Sequence, residues 1–242
     1  MGVRKEYRES YGYYHDHAQT LYMPYATEKR LFPVPEPMQP ERTKKGQARN
    51  IDVVVIADYR EKITTDLHKQ LEAMKEMGLK VGLVQMGKYD LKQTHSIHPS
   101  VREIIDGNHI QMLVYGERIT CQLLFIHNPA IFAEKQKYVP EVEAKIVRVI
   151  ITEVPGRIIG NKKVQYYQLR ECARRIDEFI KVRSKWYPIH ESLRKELQEH
   201  HDRELRSISL SVINWQEVTK DSTTIKNVLE NWFVEENPFR LE

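Results

Sequence analysis

The turn "ADYREKITTD" at residues 57–66 places a carboxylate, a phenol, a guanidinium and two hydroxyls between an apolar run and an amphipathic stretch. These are Asp58, Tyr59, Arg60, Thr64 and Thr65. Arginine donates to anionic oxygens, and a threonine at a helix start leaves free backbone N–H groups facing an anion. The combination therefore suits an anionic ligand. The same residues also suit a plain helix cap and a surface ion pair. A dinucleotide fingerprint needs glycines that let the backbone approach a pyrophosphate, and this turn contains none. NAD binding is not expected here.

Histidines offer a second kind of chemistry. "HDH" at His15–His17, "HSIH" at His95–His98 and "HH" at His200–His201 each resemble a metal pair, but none has further ligands at a recognisable spacing. No metal and no cofactor are expected. His127 differs, because it follows the apolar run "LLFI" at the end of a strand, where a general base would stand. A hydrogen-bonded structural histidine fits that position as well. Serine-nucleophile, Walker and zinc-ribbon patterns are absent.

Such groups act only if regular elements hold them. Val53 to Ala57 is a continuous apolar run, as in a strand buried on both faces, and Leu67, Leu71 and Met74 recur at helical spacing up to Gly78. "KVGLVQM" reads as a second strand, "HPSVREIIDG" as a helix, "HIQMLVYG" and "TCQLLFIHNP" as a third and fourth strand, and "AKIVRVIITEVP" as a fifth. The link between strands three and four is too short for a crossover helix, so a hairpin or an irregular crossover is expected there. Leu169, Cys172, Ala173, Ile176, Phe179 and Ile180 mark an amphipathic helix, followed by the short "SKWYPI" and another helix through Leu193 and Leu197. Ile225, Val228, Leu229, Trp232 and Phe233 stripe a last helix at 222–233.

The alternation predicts an α/β fold: a Rossmann-like, doubly wound, mostly parallel sheet flanked by helices. Ligands of such sheets bind beyond the carboxyl ends of the strands, near the switch in strand order. Besides the first turn, that rule selects Gln85, Tyr89, Tyr115, Gly116, His127, Asn128, Glu153, Pro155, Pro188 and His190.

Residues 1–50 differ from the rest, being tyrosine-rich, then proline-rich in "FPVPEPMQPE", then basic in "RTKKGQAR". Proline at that density blocks ladder and helix hydrogen bonds, so an extended arm or linker is expected, with residues 51–242 as the domain. The chain has 242 residues, and 38 basic against 34 acidic residues give a net charge of +4. That is a mild bias and no nucleic-acid footprint, although the basic run could touch anionic lipid as a peripheral membrane contact. Two isolated cysteines, Cys121 and Cys172, read as reduced buried thiols. With no spanning apolar stretch and no signal-like start, a cytoplasmic protein is expected, at the inner face of the membrane if the basic run engages lipid.

Taken in order, "VVVIADYR", "GLKVGLVQMGKYDL", "IDGNHIQMLVYGERITCQLLFIHNPAIF", "YVPEVEAKIVRVIITEVP" and "WYPIHESLRKEL" resemble the N-terminal half of GT-B glycosyltransferases. The nearest group is the bacterial family 4-type enzymes of teichoic-acid, capsule or other cell-surface polymer synthesis. The resemblance spans about residues 51–215. It implies one half of a two-domain fold in which the second domain holds the nucleotide-sugar donor. This chain would supply the half that binds a sugar or polyol-phosphate acceptor, without the donor half, and would be inactive alone. Asp58, Arg60, Thr65 and Glu153 fall on family-like positions lining the cleft, and Asp58 or His127 would serve as base. Two departures stand out. The family's glycine-containing first loop is missing, and its histidine-proline pair is replaced by His127, Asn128 and Pro129. Two other readings fit: half of a sugar-nucleotide epimerase, and a non-catalytic scaffold that forms homo-oligomers through the tyrosine-rich arm and the Trp232 helix.

Overall fold

The computed structural model describes residues 48–88, 96–135, 139–159 and 162–234. The arm up to residue 47, with His15 and His17, lies outside the described residues, as do Tyr89 and His95. Strand β1 (Arg49–Ala57) leads to helix α1 (Thr65–Glu76), β2 (Val81–Gln85), α2 (Pro99–Ile104), β3 (Ile110–Met112) and β4 (Arg118–His127). A short 3-10 turn (Pro129–Phe132) and β5 (Glu141–Ile151) follow. Next come the small hairpin β6 (Gly156–Ile159) and β7 (Lys162–Gln165), then α3 (Leu169–Ile180), β8 (Ser184–Pro188) and α4 (Glu191–Leu205). The described residues close with β9 (Ser209–Leu210), α5 (Trp215–Val218) and α6 (Ser222–Val234).

Seven strands form one sheet in the order β3-β2-β1-β4-β5-β8-β9, and every pairing in it is parallel. Among the described residues, only the separate β6–β7 hairpin is antiparallel. The short "SKWYPI" segment thus supplies a strand, pairing Val147–Ile151 with Ser184–Pro188. The fold is the expected Rossmann-like α/β arrangement. The chain leaves β1 towards β2 and β3 on one side and returns through β4 and β5 on the other, so the switch in strand order falls between β1 and β4.

Parallel sheets need cover on both faces, and the sequence provides it by amphipathic stripes. One face packs Val54, Ile56, Leu124, Ile126, Val147 and Val149 against Leu169, Cys172, Ile176 of α3 and Leu193, Leu197 of α4. The other packs Val53, Val55, Leu123, Phe125, Ile146 and Ile150 against α1, α2, α5 and α6. Each central strand therefore buries alternate residues in opposite layers, which is why the sequence reads as unbroken apolar runs. Both cysteines are free and buried, and burial pushes each thiol up to about 12. No helix among the described residues is long and apolar enough to cross a membrane.

The strands shift phase together near their starts. Asp52 and Val53 both donate N–H to the Lys80 carbonyl, each at 3.1 Å, the mark of a bulge. Ile51 and Val53 consequently face opposite layers, and so do their register partners Cys121 and Leu123, and Ala144 and Ile146. Before this line one face of the sheet is left polar, with Asn50, Glu141 and Glu143 exposed.

The link from β3 to β4 is the irregular crossover. Parallel strands are ordinarily joined through about a dozen residues or more, yet only residues 113–117 connect these two. The chain passes across the sheet face. Leu113 N–H donates to the Leu83 carbonyl at 2.8 Å, and its side chain lies over Gly82, where a Cβ would come within 2.4 Å of Leu113 Cδ1. The end of this short path is fixed by a buried ion pair between Arg49 and Glu117, whose side chains are 3% and 7% exposed. Arg49 Nη2 also donates to Gln111 Oε1 at 2.6 Å, and Glu117 Oε2 accepts from Val114 N–H at 2.7 Å. Arg49→Met would leave the Glu117 carboxylate buried without its cation, a change of the kind that costs about 3–5 kcal/mol. Urea denaturation of the two proteins at neutral pH should read that loss.

Candidate functional site

The loops after β1, β2, β4 and β5 meet over the carboxyl edge of the sheet and carry one connected polar network. Asp58, the first residue beyond β1, is its centre. Asp58 Oδ1 accepts from Arg60 N–H at 3.2 Å, Arg60 Nε at 2.7 Å and Gln85 Nε2 at 3.1 Å. Asp58 Oδ2 accepts from Arg60 Nη2 and from Lys88 N–H, the latter at 3.1 Å. Burial raises the Asp58 carboxyl, but the Arg60, Gln85 and Lys88 donors outweigh it and hold the group below the usual aspartate value.

Arg60 is folded back rather than projecting. Its Nη2 also donates to the Lys88 carbonyl at 3.3 Å, and its guanidinium lies against Gly87, where a Cβ would fall 2.9 Å from Cζ. The glycine sought in the first loop is thus found in the second, where it makes room for an arginine. Gln85 Oε1 completes the corner by accepting from Tyr59 N–H at 2.6 Å.

Across the switch between β1 and β4, Lys88 Nζ reaches Glu153 Oε1 at 3.1 Å. The same oxygen accepts from Asn128 Nδ2 at 2.8 Å. Asn128 sits at φ 74 and ψ 106, a backbone geometry that costs a non-glycine residue roughly 1–3 kcal/mol. Its N–H donates to the Ile150 carbonyl at 2.9 Å and its Oδ1 accepts from Ala130 N–H at 2.9 Å, so three bonds hold it there. Below it, the Tyr167 hydroxyl donates to the Glu153 carbonyl at 2.6 Å.

Five of the sequence-selected residues therefore come together: Asp58, Arg60, Gln85, Asn128 and Glu153. Lys88 completes the group. It was missed because it lies three residues past the β2 end in a stretch with no motif, its only signal being its place after a strand.

The other selected residues go elsewhere. Tyr59 is fully buried on the α1 side and its hydroxyl donates to the Val55 carbonyl at 2.9 Å, so it faces the core and no ligand. Burial raises its phenol well above the ordinary value. Thr64 caps α1, accepting from Leu67 N–H at 3.2 Å, and Thr65 begins the helix, both exposed at the far end of the loop. Tyr115 and Gly116 belong to the crossover link, because β3 stops at Met112, and they lie towards the opposite end of the sheet. Gly116 takes φ 88, which its missing side chain allows. Tyr89 lies outside the described residues.

His127 ends β4 but turns beneath α1. It is 7% exposed, its Nε2 lies 3.2 Å from Gln70 Oε1, and the Trp215 ring meets it edge-on at 6.1 Å. Burial pulls its imidazole down to about 3. The ring is neutral and enclosed, which corrects its placement in the cleft as a base. Of the other described histidines, His98 and His190 cap helices and His201 is a core group, whereas His68 pairs with Glu72 on the surface and His200 is exposed. His98 Nδ1 accepts from Ser100 N–H at 3.2 Å, His190 Nδ1 from Leu193 N–H at 3.0 Å, and His201 is buried beside Glu204. No group of three or more potential metal ligands assembles among the described residues. A cleft of about 510 Å³ runs between the start of β5 and the end of α3, far from the network, and its lining mixes apolar Val142, Ala144, Phe179 and Val182 with charged Glu141, Glu143, Glu178 and Lys181.

The neutral His127 makes stability depend on pH with a defined sign. The unfolded chain takes up a proton on this residue below its ordinary value near 6.5, whereas the folded chain does so only near 3. Its contribution is complete above pH 6.5 and is lost as the pH falls, at up to about 1.4 kcal/mol per pH unit. Asp58 adds a further loss only below about pH 3.9, as its carboxyl is protonated. Urea titrations between pH 8 and 4.5 should show stability falling for the native chain. The His127→Gln variant should start about 1–3 kcal/mol lower and stay flatter over that window, since it exchanges a buried partner but carries no proton.

No protein-family model, no curated protein and no solved structure matches this chain.

Proposed function

We propose that the chain is the acceptor-side domain of a two-domain glycosyltransferase, holding a hydroxyl-bearing acceptor such as a polyol-phosphate polymer of the cell surface. The observation that carries the reading is the network of Asp58, Arg60, Gln85, Lys88, Asn128 and Glu153 over the β1/β4 switch, where doubly wound sheets bind ligands. Its chemistry suits a polyol better than a nucleotide. The first loop has no glycine, and its Arg60 is already bonded to Asp58. A pyrophosphate would have to break that pair to use it.

The domain's share of catalysis would be to hold the acceptor hydroxyl in line with an activated sugar presented by a donor domain. Stabilising the departing diphosphate would fall to that donor domain. One observation favours a second reading, a non-catalytic binding module: both oxygens of Asp58 are occupied by internal donors, so the group at the centre of the network is spent on structure.

Calorimetric titration of the full chain with UDP, GDP and a panel of nucleotide sugars should give no saturable binding, at protein concentrations that detect millimolar affinity. Saturable binding of any of them would overturn this division of labour, because the domain would then own a nucleotide site.

A further inference from the structure

We propose that Glu153 is the residue that takes an acceptor hydroxyl, with Lys88 beside it receiving the neighbouring oxygen or phosphate of a polyol phosphate. This rests on the acceptor reading above and names its contact residues. Of the candidate acceptors of a hydroxyl proton Asp58, His127 and Glu153, two are spent. Asp58 has five donors on its two oxygens. His127 is enclosed between Gln70 and Trp215.

Glu153 is different. Its Oε1 collects both Lys88 Nζ and Asn128 Nδ2, at 3.1 and 2.8 Å, while its Oε2 accepts no bond from the described residues. The side chain is 38% exposed. Position is nevertheless fixed at both ends, through the Tyr167 hydroxyl on its carbonyl and through Asn128 on its carboxylate. An ionised carboxylate can accept about four hydrogen bonds, so the second oxygen keeps its full capacity.

Lys88 Nζ carries three N–H donors, of which one is used on Glu153, and its side chain is 27% exposed. Acceptor and donor thus stand side by side. Adjacent hydroxyls of a polyol match that pair, one donating to Oε2 and one accepting from Nζ, and a phosphate ester satisfies the cation further. Asn128 is a positioning residue in this arrangement. Its positive φ brings the amide to the carboxylate that it orients, and it need not touch the ligand.

The test is a titration of the full chain with ribitol 5-phosphate and glycerol 3-phosphate, followed by calorimetry or amide chemical shifts, with inorganic phosphate as control. The native chain should bind a polyol phosphate more tightly than phosphate. Glu153→Gln should weaken it tenfold or more with an unchanged melting temperature. Asn128→Gly should still fold, since glycine takes the positive φ freely and this offsets the lost bonds to Ala130 and Glu153, yet weaken binding several-fold. Equal affinity of the native chain and Glu153→Gln would overturn this assignment and leave the acceptor reading standing. So would affinity for inorganic phosphate matching that for the polyol esters. No binding of either ester to the native chain would overturn the acceptor reading and this assignment with it.

Discussion

The central strands of this sheet are covered on both faces, and that leaves polar side chains almost nowhere to go except the strand ends. From Val53 to Ala57 and from Leu123 to Ile126 every residue is buried, in one layer or the other. An unpaired charge in that region would lose several kcal/mol of hydration, so charge is displaced to the two edges and must be satisfied there. At the amino edge the result is the Arg49–Glu117 pair with Gln111, which holds a crossover otherwise too short for its task. At the carboxyl edge it is the network around Asp58 and Glu153.

The two edges solve the same problem differently. At the amino edge the charges are nearly sealed, and Glu117 also answers a loop N–H, so the cluster acts as a fastening. At the carboxyl edge burial declines outward, from an Asp58 side chain only 5% exposed to a Glu153 more than a third exposed. The inner half of that network is saturated by its own donors, whereas the outer half keeps an open carboxylate oxygen and spare ammonium protons. A gradient of this kind gives a rigid base and a receptive rim, which is what a preorganised binding edge requires.

The few polar groups within the layers mark where helices had to be accommodated. Arg148, on β5, places its guanidinium over the Trp232 ring at 4.9 Å, where the ring face partly replaces water. Trp215 stacks on Trp232 and meets Phe125, Tyr187 and His127 edge-on, so α5 and α6 are seated on one aromatic cluster. Gln70 Nε2 and Trp215 Nε1 find no hydrogen-bond partner among the described residues. His127 is retained there as a neutral ring bonded to Gln70, and its cost is paid as proton affinity.

The sequence by itself determined the layers. Apolar runs such as "VVVIA" and stripes such as Leu169, Cys172 and Ile176 are local patterns, and burial on both faces or on one follows from them without reference to distant residues. The class of fold, a helix cap at Thr64 or Thr65, and the concentration of polar groups after strand ends were legible for that reason. Which of those groups meet was not. Tyr59 and Arg60 are neighbours in sequence, yet one enters the core and the other folds over Gly87 from another loop. Tyr115 follows an apolar run as Asn128 does, but β3 ends early and the link carries Tyr115 towards the opposite edge. Register and crossover geometry decided these outcomes. A strand's end and the side of the sheet its last residue faces depend on pairing with partners tens of residues away. That pairing set Asn128, Glu153 and Lys88 within hydrogen-bond reach and turned His127 beneath a helix.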